Sequence, residues 1–246
     1  MNFSKSNFNE ARFDAYVSFQ MSNFVGKSSF SNVSFKGLTR FSGTIFSGLA
    51  RFTSCEFFGF LWFNNVKFLN GARFGLGTFN KFVSFSDSEF GKEANFAGID
   101  CKSGFVLSKT SFRTVPDFSQ AHFAEAPRLD NLNMIGLSES KISCFAGDIE
   151  IAARWRALKR LAIQGHDHER EQIFFKGELQ ARRWVTDKIW HAAFWFGAFY
   201  QLLSDFGRSM MRPVIWLTVA WAVGAMLYLH QATGRHPLCV WGGNDA

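Results

Sequence analysis

Residues 50–74 read ARFTSCEFFGFLWFNNVKFLNGARF. Within this stretch Phe52, Phe57, Phe63, Phe68 and Phe74 follow one another at alternating steps of five and six residues. Two residues before each of them stands a small or apolar residue: Ala50, Cys55, Leu61, Val66 and Ala72. Such a period fits neither a helix, which repeats every ~3.6 residues, nor a plain strand, which repeats every two. It fits a short extended segment followed by a corner. Residues two apart in an extended segment face the same way, so each unit sends one large and one small side chain inward. The Ser, Asn, Lys, Arg, Asp and Glu between them are left for solvent and turns.

The same ruler runs outward from this stretch. It passes through Phe13, Phe19, Phe24, Phe30, Phe35, Phe41 and Phe46 upstream, and through Phe79, Phe85, Phe90 and Phe96 downstream. It continues through Cys101, Leu107, Phe112, Phe118, Phe123, Leu129, Met134, Ser140 and Phe145. Of these 25 positions 20 are Phe, whereas the chain's 32 Phe scattered at random would fill about three. Phe3 and Phe8 extend the series by plain fives. No coil can bury its own rings, but stacked coils can, and each buried Phe contributes roughly 1.5–3 kcal/mol. These phenylalanines are therefore expected to be a structural stack rather than a ligand-binding box. Pro116, Pro127, Leu129, Met134 and Ser140 mark an irregular last coil.

The unit, as in Ala50-Arg51-Phe52-Thr53-Ser54 and Ala72-Arg73-Phe74-Gly75-Leu76, resembles that of the pentapeptide-repeat family over residues 1 to about 145. The five/six alternation is similar to an atypical, Phe-rich branch of the family among membrane-linked bacterial proteins. The resemblance implies an all-β solenoid, a right-handed quadrilateral β-helix. Four faces would take 22 residues per coil, giving about six coils and a rod about 30 Å long at a strand spacing of ~4.8 Å. The rival left-handed hexapeptide β-helix needs strict sixes. It also usually carries a catalytic His, and the lone repeat-face His122 reads as an exposed polar residue.

From Asp148 the pattern turns helical. Ile151, Trp155, Leu158 and Ala162 share one helix face, leaving Arg154, Arg156, Lys159 and Arg160 to solvent. Gly165 is placed to stop this helix and Asp167 to cap the next. The expected organisation is a β-helix over 1–147, a helical hairpin or cap over 148–187, and a membrane-associated part over 188–246. The cap would cover the open coil edge, which would otherwise invite association. His166 and His168 form an HxH without partners at metal-site spacing, and read as a solvated loop.

Within 188–246, Ile189 to Leu203 is expected to form an interfacial helix. A transmembrane helix is expected at about 213–230, because Pro213 to Leu229 is 17 residues without a charge. Pro213, Trp216, Trp221 and Tyr228 are assigned to the membrane. Arg182, Arg183, Lys188, Arg208 and Arg212 precede this segment and Arg235 follows it, which would place a single-pass protein in the inner membrane with its repeats in the cytoplasm.

The formal net charge is +7, with +3 on residues 1–148 and +4 on the rest, too weak to indicate nucleic acid. Cys55, Cys101, Cys144 and Cys239 lie far apart without CxxC spacing, so neither zinc nor disulfides are expected. There is no nucleophile elbow, phosphate-binding glycine loop or paired-acid motif, and Gly75-Leu76-Gly77 falls within the Phe ruler. No enzyme activity, cofactor or metal is expected. The expected role is a non-enzymatic, membrane-tethered scaffold for protein–protein interaction. Its partners would be the lipid bilayer and an unidentified protein, with a homo-oligomer left open. The alternatives are a component of a membrane channel or transport assembly and, disfavoured by the +3 rod, a DNA-mimic topoisomerase modulator.

Overall fold

Residues 1–134, 149–186 and 211–233 are described in a computed structural model of the chain. Each Phe unit makes a strand of only two residues, which gains its stability from the coil above and below. All pairings are parallel. The register joins each residue to the one 22 further on: Ala50 to Ala72, Phe57 to Phe79, Leu61 to Val83 and Phe68 to Phe90. The first coil is one residue short, Asn2 pairing with Asn23, because Phe3, Phe8 and Phe13 are spaced by plain fives.

The result is a parallel β-solenoid of about six coils with four faces. Face A runs from Asn2–Phe3 to Asn133–Met134 in seven strands, and face B from Ser6–Asn7 to Ala94–Asn95 in five. Face C runs from Arg12–Phe13 to His122–Phe123 in six strands, and face D from Val17–Ser18 to Phe105–Val106 in five.

Two kinds of corner alternate, and they account for the alternating step. The five-residue step, from B to C and from D to A, is a tight turn closed on the Phe carbonyl, as from Gly77 N–H to Phe74 and Ser88 N–H to Phe85, each 3.2 Å. The second residue after each core position then has positive φ: Glu10, Met21, Asn32, Gly43, Ser54, Asn65, Leu76, Asp87, Gly98, Lys109, Gln120 and Asn131. Glycine or asparagine usually fills such a position. Here a bond from the next coil secures it, as from Leu76 N–H to the Ala97 carbonyl at 2.9 Å. The six-residue step, from A to B and from C to D, is a bend where successive backbones touch. Gly26, Gly37, Gly48 and Gly59 occupy it: a Cβ on Gly37 would stand 2.5 Å from the Ala15 carbonyl, and one on Gly48 would run into the Gly26 carbonyl oxygen.

Inside, the rings form columns. Phe30, Phe52, Phe74, Phe96 and Phe118 stack at 4.7–5.1 Å within 4° of parallel. Rings of different columns meet edge to face, as Phe52 and Phe63 do at 5.3 Å and 77°. Both geometries suit the ring quadrupole. Phe13 and Phe19 of the first coil are half-buried. Inward Thr44 and Cys55 donate to the Phe19 and Phe30 carbonyls at 2.7 Å, so these small positions also close polar gaps.

One rung departs from the pattern. The face C column Phe13, Phe35, Phe57, Phe79 lacks a ring at Cys101 and resumes at Phe123. At the small inward position of face D in the same coil stands Phe105, 1% exposed. Its ring lies edge-on to Phe79 at 6.2 Å and to Phe123 at 5.3 Å, bridging the gap that Cys101 leaves.

The irregular end has its own logic. In the regular coils of faces B and D the small inward residue donates its N–H to the following coil, as Ala50 does to the Gly71 carbonyl. In the last turns of faces B and D that residue is Pro116 or Pro127. Proline has no N–H to leave unpaired at the edge. Single parallel bridges, Asn95 to Asp117 and Val106 to Arg128, finish these two faces.

Helices α1 (Ile149–Gln164) and α2 (His168–Thr186) form a hairpin. It is tied to the last coils by Arg154 to the Val115 carbonyl at 3.4 Å and Gln164 to the Phe123 carbonyl at 3.2 Å. The buried face of α1 is Ala152, Trp155, Leu158, Leu161 and Ala162, whereas the expected Ile151 is exposed. The left-handed residue that ends α1 is His166 rather than Gly165, with Asp167 N–H bonded to the Ala162 carbonyl in a Schellman arrangement. Asp167 then caps α2 through Arg170 N–H at 3.0 Å.

Helix α3 (Met211–Thr233) belongs to a separate unit, 187–246. Among the described residues no helix is long and apolar enough to cross a membrane. Arg212 and Pro213 at one end and His230 and Gln231 at the other bound the apolar run. That run covers Val214–Leu229, 16 residues or about 24 Å, against a hydrocarbon core of about 30 Å. The expected transmembrane helix at 213–230 is thereby overturned. With it falls the single-pass inner-membrane placement and the membrane assignment of Pro213, Trp216, Trp221 and Tyr228. Ile189 to Leu203, Ser140, Cys144, Phe145 and Cys239 lie outside the described residues.

Candidate functional site

Because the core takes the ruler phenylalanines, any aromatic residue off the ruler needs another explanation. Apart from Phe105, such residues of the repeats are Tyr16, Phe58, Phe60, Trp62 and Phe82, and all five fall on the corner between faces C and D or on the adjoining strands of D. The register stacks them. Tyr16, Leu38, Phe60 and Phe82 occupy one column over four coils, while Arg40 and Trp62 are partners on face D.

The corner's construction turns these side chains outward. Gly37 and Gly59 let the bend close onto the coil beneath. Tyr16 is 54%, Phe60 49% and Phe58 37% exposed. Trp62 and Phe82 lean together at 5.5 Å and 50°. Cations are set among the rings: Lys36 Nζ lies 4.1 Å above Phe58, and the Arg40 guanidinium lies 6.0 Å from Tyr16. Lys81 and Lys102 continue the positive charge along the same corner, and both are exposed. Among the described residues its carboxylates are Asp14, engaged by Arg12 at 2.6 Å, and Glu125 on the last coil. Exposed aromatic strips rimmed by cations are a common form of interaction surface.

The residues singled out in the sequence fall elsewhere. The Phe stack points inward throughout and forms no external site. Gly75-Leu76-Gly77 is a B–C turn. His122 is exposed and lies 3.3 Å from Asp100, and His168 lies 3.4 Å from Glu171. Among the described residues no three His, Cys, Asp or Glu side chains group closely enough to hold a metal ion. Burial pushes the Cys55 thiol up to about 12, only partly offset by a backbone hydrogen bond at Val33, and it pushes Cys101 up further with help from Asp100. Both are core residues with protonated, unreactive sulfur.

The α1 cations are not simply solvated. Arg156 and Lys159 reach the buried Glu178 of α2 at 2.9 and 2.7 Å, and Arg154 binds Glu150 at 2.6 Å. These contacts tie the hairpin together.

Comparison with protein-family models, curated proteins and solved structures returned no match.

Proposed function

We propose that this chain is a pentapeptide-repeat-type scaffold without catalytic activity, whose C–D corner docks a partner protein through a segment combining acidic and apolar side chains. The observation that carries this reading is the outward aromatic strip Tyr16, Phe58, Phe60, Trp62 and Phe82, interleaved with Lys36 and Arg40. The rings supply a desolvated centre, and the cations select carboxylates and steer their approach. A rigid, evenly spaced row of columns suits an extended segment, since coils and side chains of such a segment advance on comparable length scales.

The test is fluorescence polarisation with a labelled peptide alternating Glu and Leu, read against a labelled oligothymidylate. The full chain is compared with Phe60→Ser/Trp62→Ser and with Lys36→Glu. The peptide is expected to bind the parent and to lose affinity in both variants, each retaining the parent's circular dichroism. Equal peptide binding by parent and variants, or preference for the oligonucleotide through the same residues, would sink the proposal.

A further inference from the structure

Face B carries a second outward feature, away from the C–D corner. Ser31, Arg51, Thr53, Arg73, Gly75, Glu93 and Asn95 line an open groove of about 570 Å³. Arg51 and Arg73 are register partners on adjacent strands, so two guanidinium stems stand ~4.8 Å apart at their roots. Like charges directly opposed on a ladder are destabilising, and a fold gains nothing by placing them there. Arg73 has a carboxylate, Glu93 at 3.2 Å, which also faces Arg154 at 3.7 Å. Arg51 has no carboxylate partner among the described residues.

The remaining lining groups add donors. Asn95, which lines the groove, accepts the Ala97 N–H on Oδ1 at 3.1 Å, and its Nδ2 is a donor. Thr53, two residues beyond Arg51 on the same coil, brings its hydroxyl to the lining from the neighbouring column. Gly75, buried and without a side chain, keeps the floor open. Two forked cations, a hydroxyl and an amide around one cavity match a tetrahedral oxyanion that can accept on several sides at once.

We propose that this groove binds the dianionic head of a phosphomonoester between Arg51 and Arg73, with Thr53 and Asn95 completing the shell. Glu93 is the competing internal anion, so it sets the affinity: the incoming phosphate must share Arg73 with it. The inference stands independently of the docking edge, because no residue is common to the two surfaces.

The experiment is calorimetric titration of the full chain, in a phosphate-free buffer at constant ionic strength, with inorganic phosphate and with a phosphoserine peptide. Saturable binding is expected, weakened about tenfold or more by Arg51→Gln and strengthened by Glu93→Gln, while the charge-matched Lys109→Gln on the far corner leaves it unchanged. A phosphopeptide much tighter than phosphate would identify a modified protein as the source of the ligand, and equal affinities a free phosphomonoester. Non-saturable heats, or equal losses in Arg51→Gln and Lys109→Gln, would overturn the assignment. Circular dichroism of each variant separates loss of binding from loss of fold.

Discussion

The exchange of sizes between Cys101 and Phe105 can be tested as a closed thermodynamic cycle. Phe105→Val removes a ring enclosed by Phe79, Phe85, Phe96, Phe118 and Phe123 at centroid distances of 5.3–6.4 Å. Rings held by their own stacks collapse poorly into a void, so the loss is about 2–4 kcal/mol. Cys101→Phe alone forces a ring into space that Phe105 already fills, at a cost of about 1–3 kcal/mol. Independent sites would make the double variant lose the sum, about 3–7 kcal/mol. Sites sharing one volume predict the opposite: Cys101→Phe/Phe105→Val restores the regular column and stays within about 1.5 kcal/mol of the parent. Urea unfolding of the full chain, followed by far-ultraviolet circular dichroism and by fluorescence, gives the four stabilities where the two transitions coincide. If the single losses add to within about 0.5 kcal/mol, Phe105 does not occupy the missing rung and the reasoning fails.

Three further outcomes follow from the corners and the cap. Gly48→Ala drives a Cβ into the Gly26 carbonyl and should destabilise the solenoid by about 1–3 kcal/mol in thermal or urea unfolding. Leu76→Gly relieves a left-handed leucine (φ 60°, 67% exposed) and should stabilise by up to about 1 kcal/mol, the strain relieved less the entropy of glycine. Burial alone would raise the Glu178 carboxyl, but its hydrogen bonds from Lys159 and Arg156 outweigh this and hold it below the ordinary 4.5. Its contribution is therefore complete above pH 4.5 and is lost as the pH falls through the lowered value. Glu178→Gln should lower the melting temperature at neutral pH and flatten this acid limb, and an unchanged limb would place the titration elsewhere.

How far these features could be read in advance depended on what kind of residue enforced them. The coil was legible because only large rings at fixed steps can fill its axis, and Phe52, Phe63 and Phe74 leave no other account. The turns were not, because stacking rather than residue type secures them: Met21, Leu76 and Lys109 carry positive φ where glycine would have signalled it. Phe105 was hidden because it stands two residues before the ruler position Leu107, where the pattern otherwise places a smaller side chain. Off-ruler residues were also the signal for the candidate edge, since Tyr16, Phe58, Phe60, Trp62 and Phe82 violate the pattern on a single corner. The apolar segment from Pro213 misled because absence of charge is a weaker property than sufficient length and hydropathy. On α1, a helical wheel showed where Arg156 and Lys159 point but not that Glu178 would come to meet them.

The two periods of the solenoid have a consequence for how it can change length. The interior repeats every 11 residues, the spacing of Leu76 from Asp87 and of Phe74 from Phe85, whereas the sheets repeat every 22. The core therefore has the symmetry of a half-turn screw that the surface lacks. Gain or loss of 22 residues shifts everything beyond it by one row and leaves each column on its own face. Gain or loss of 11 keeps every ring in phase but exchanges A with C and B with D beyond that point. Such a change would leave the rod stably packed while cutting the aromatic edge in two and moving its far half to the opposite side. In this architecture a segment can be silent for folding and decisive for recognition.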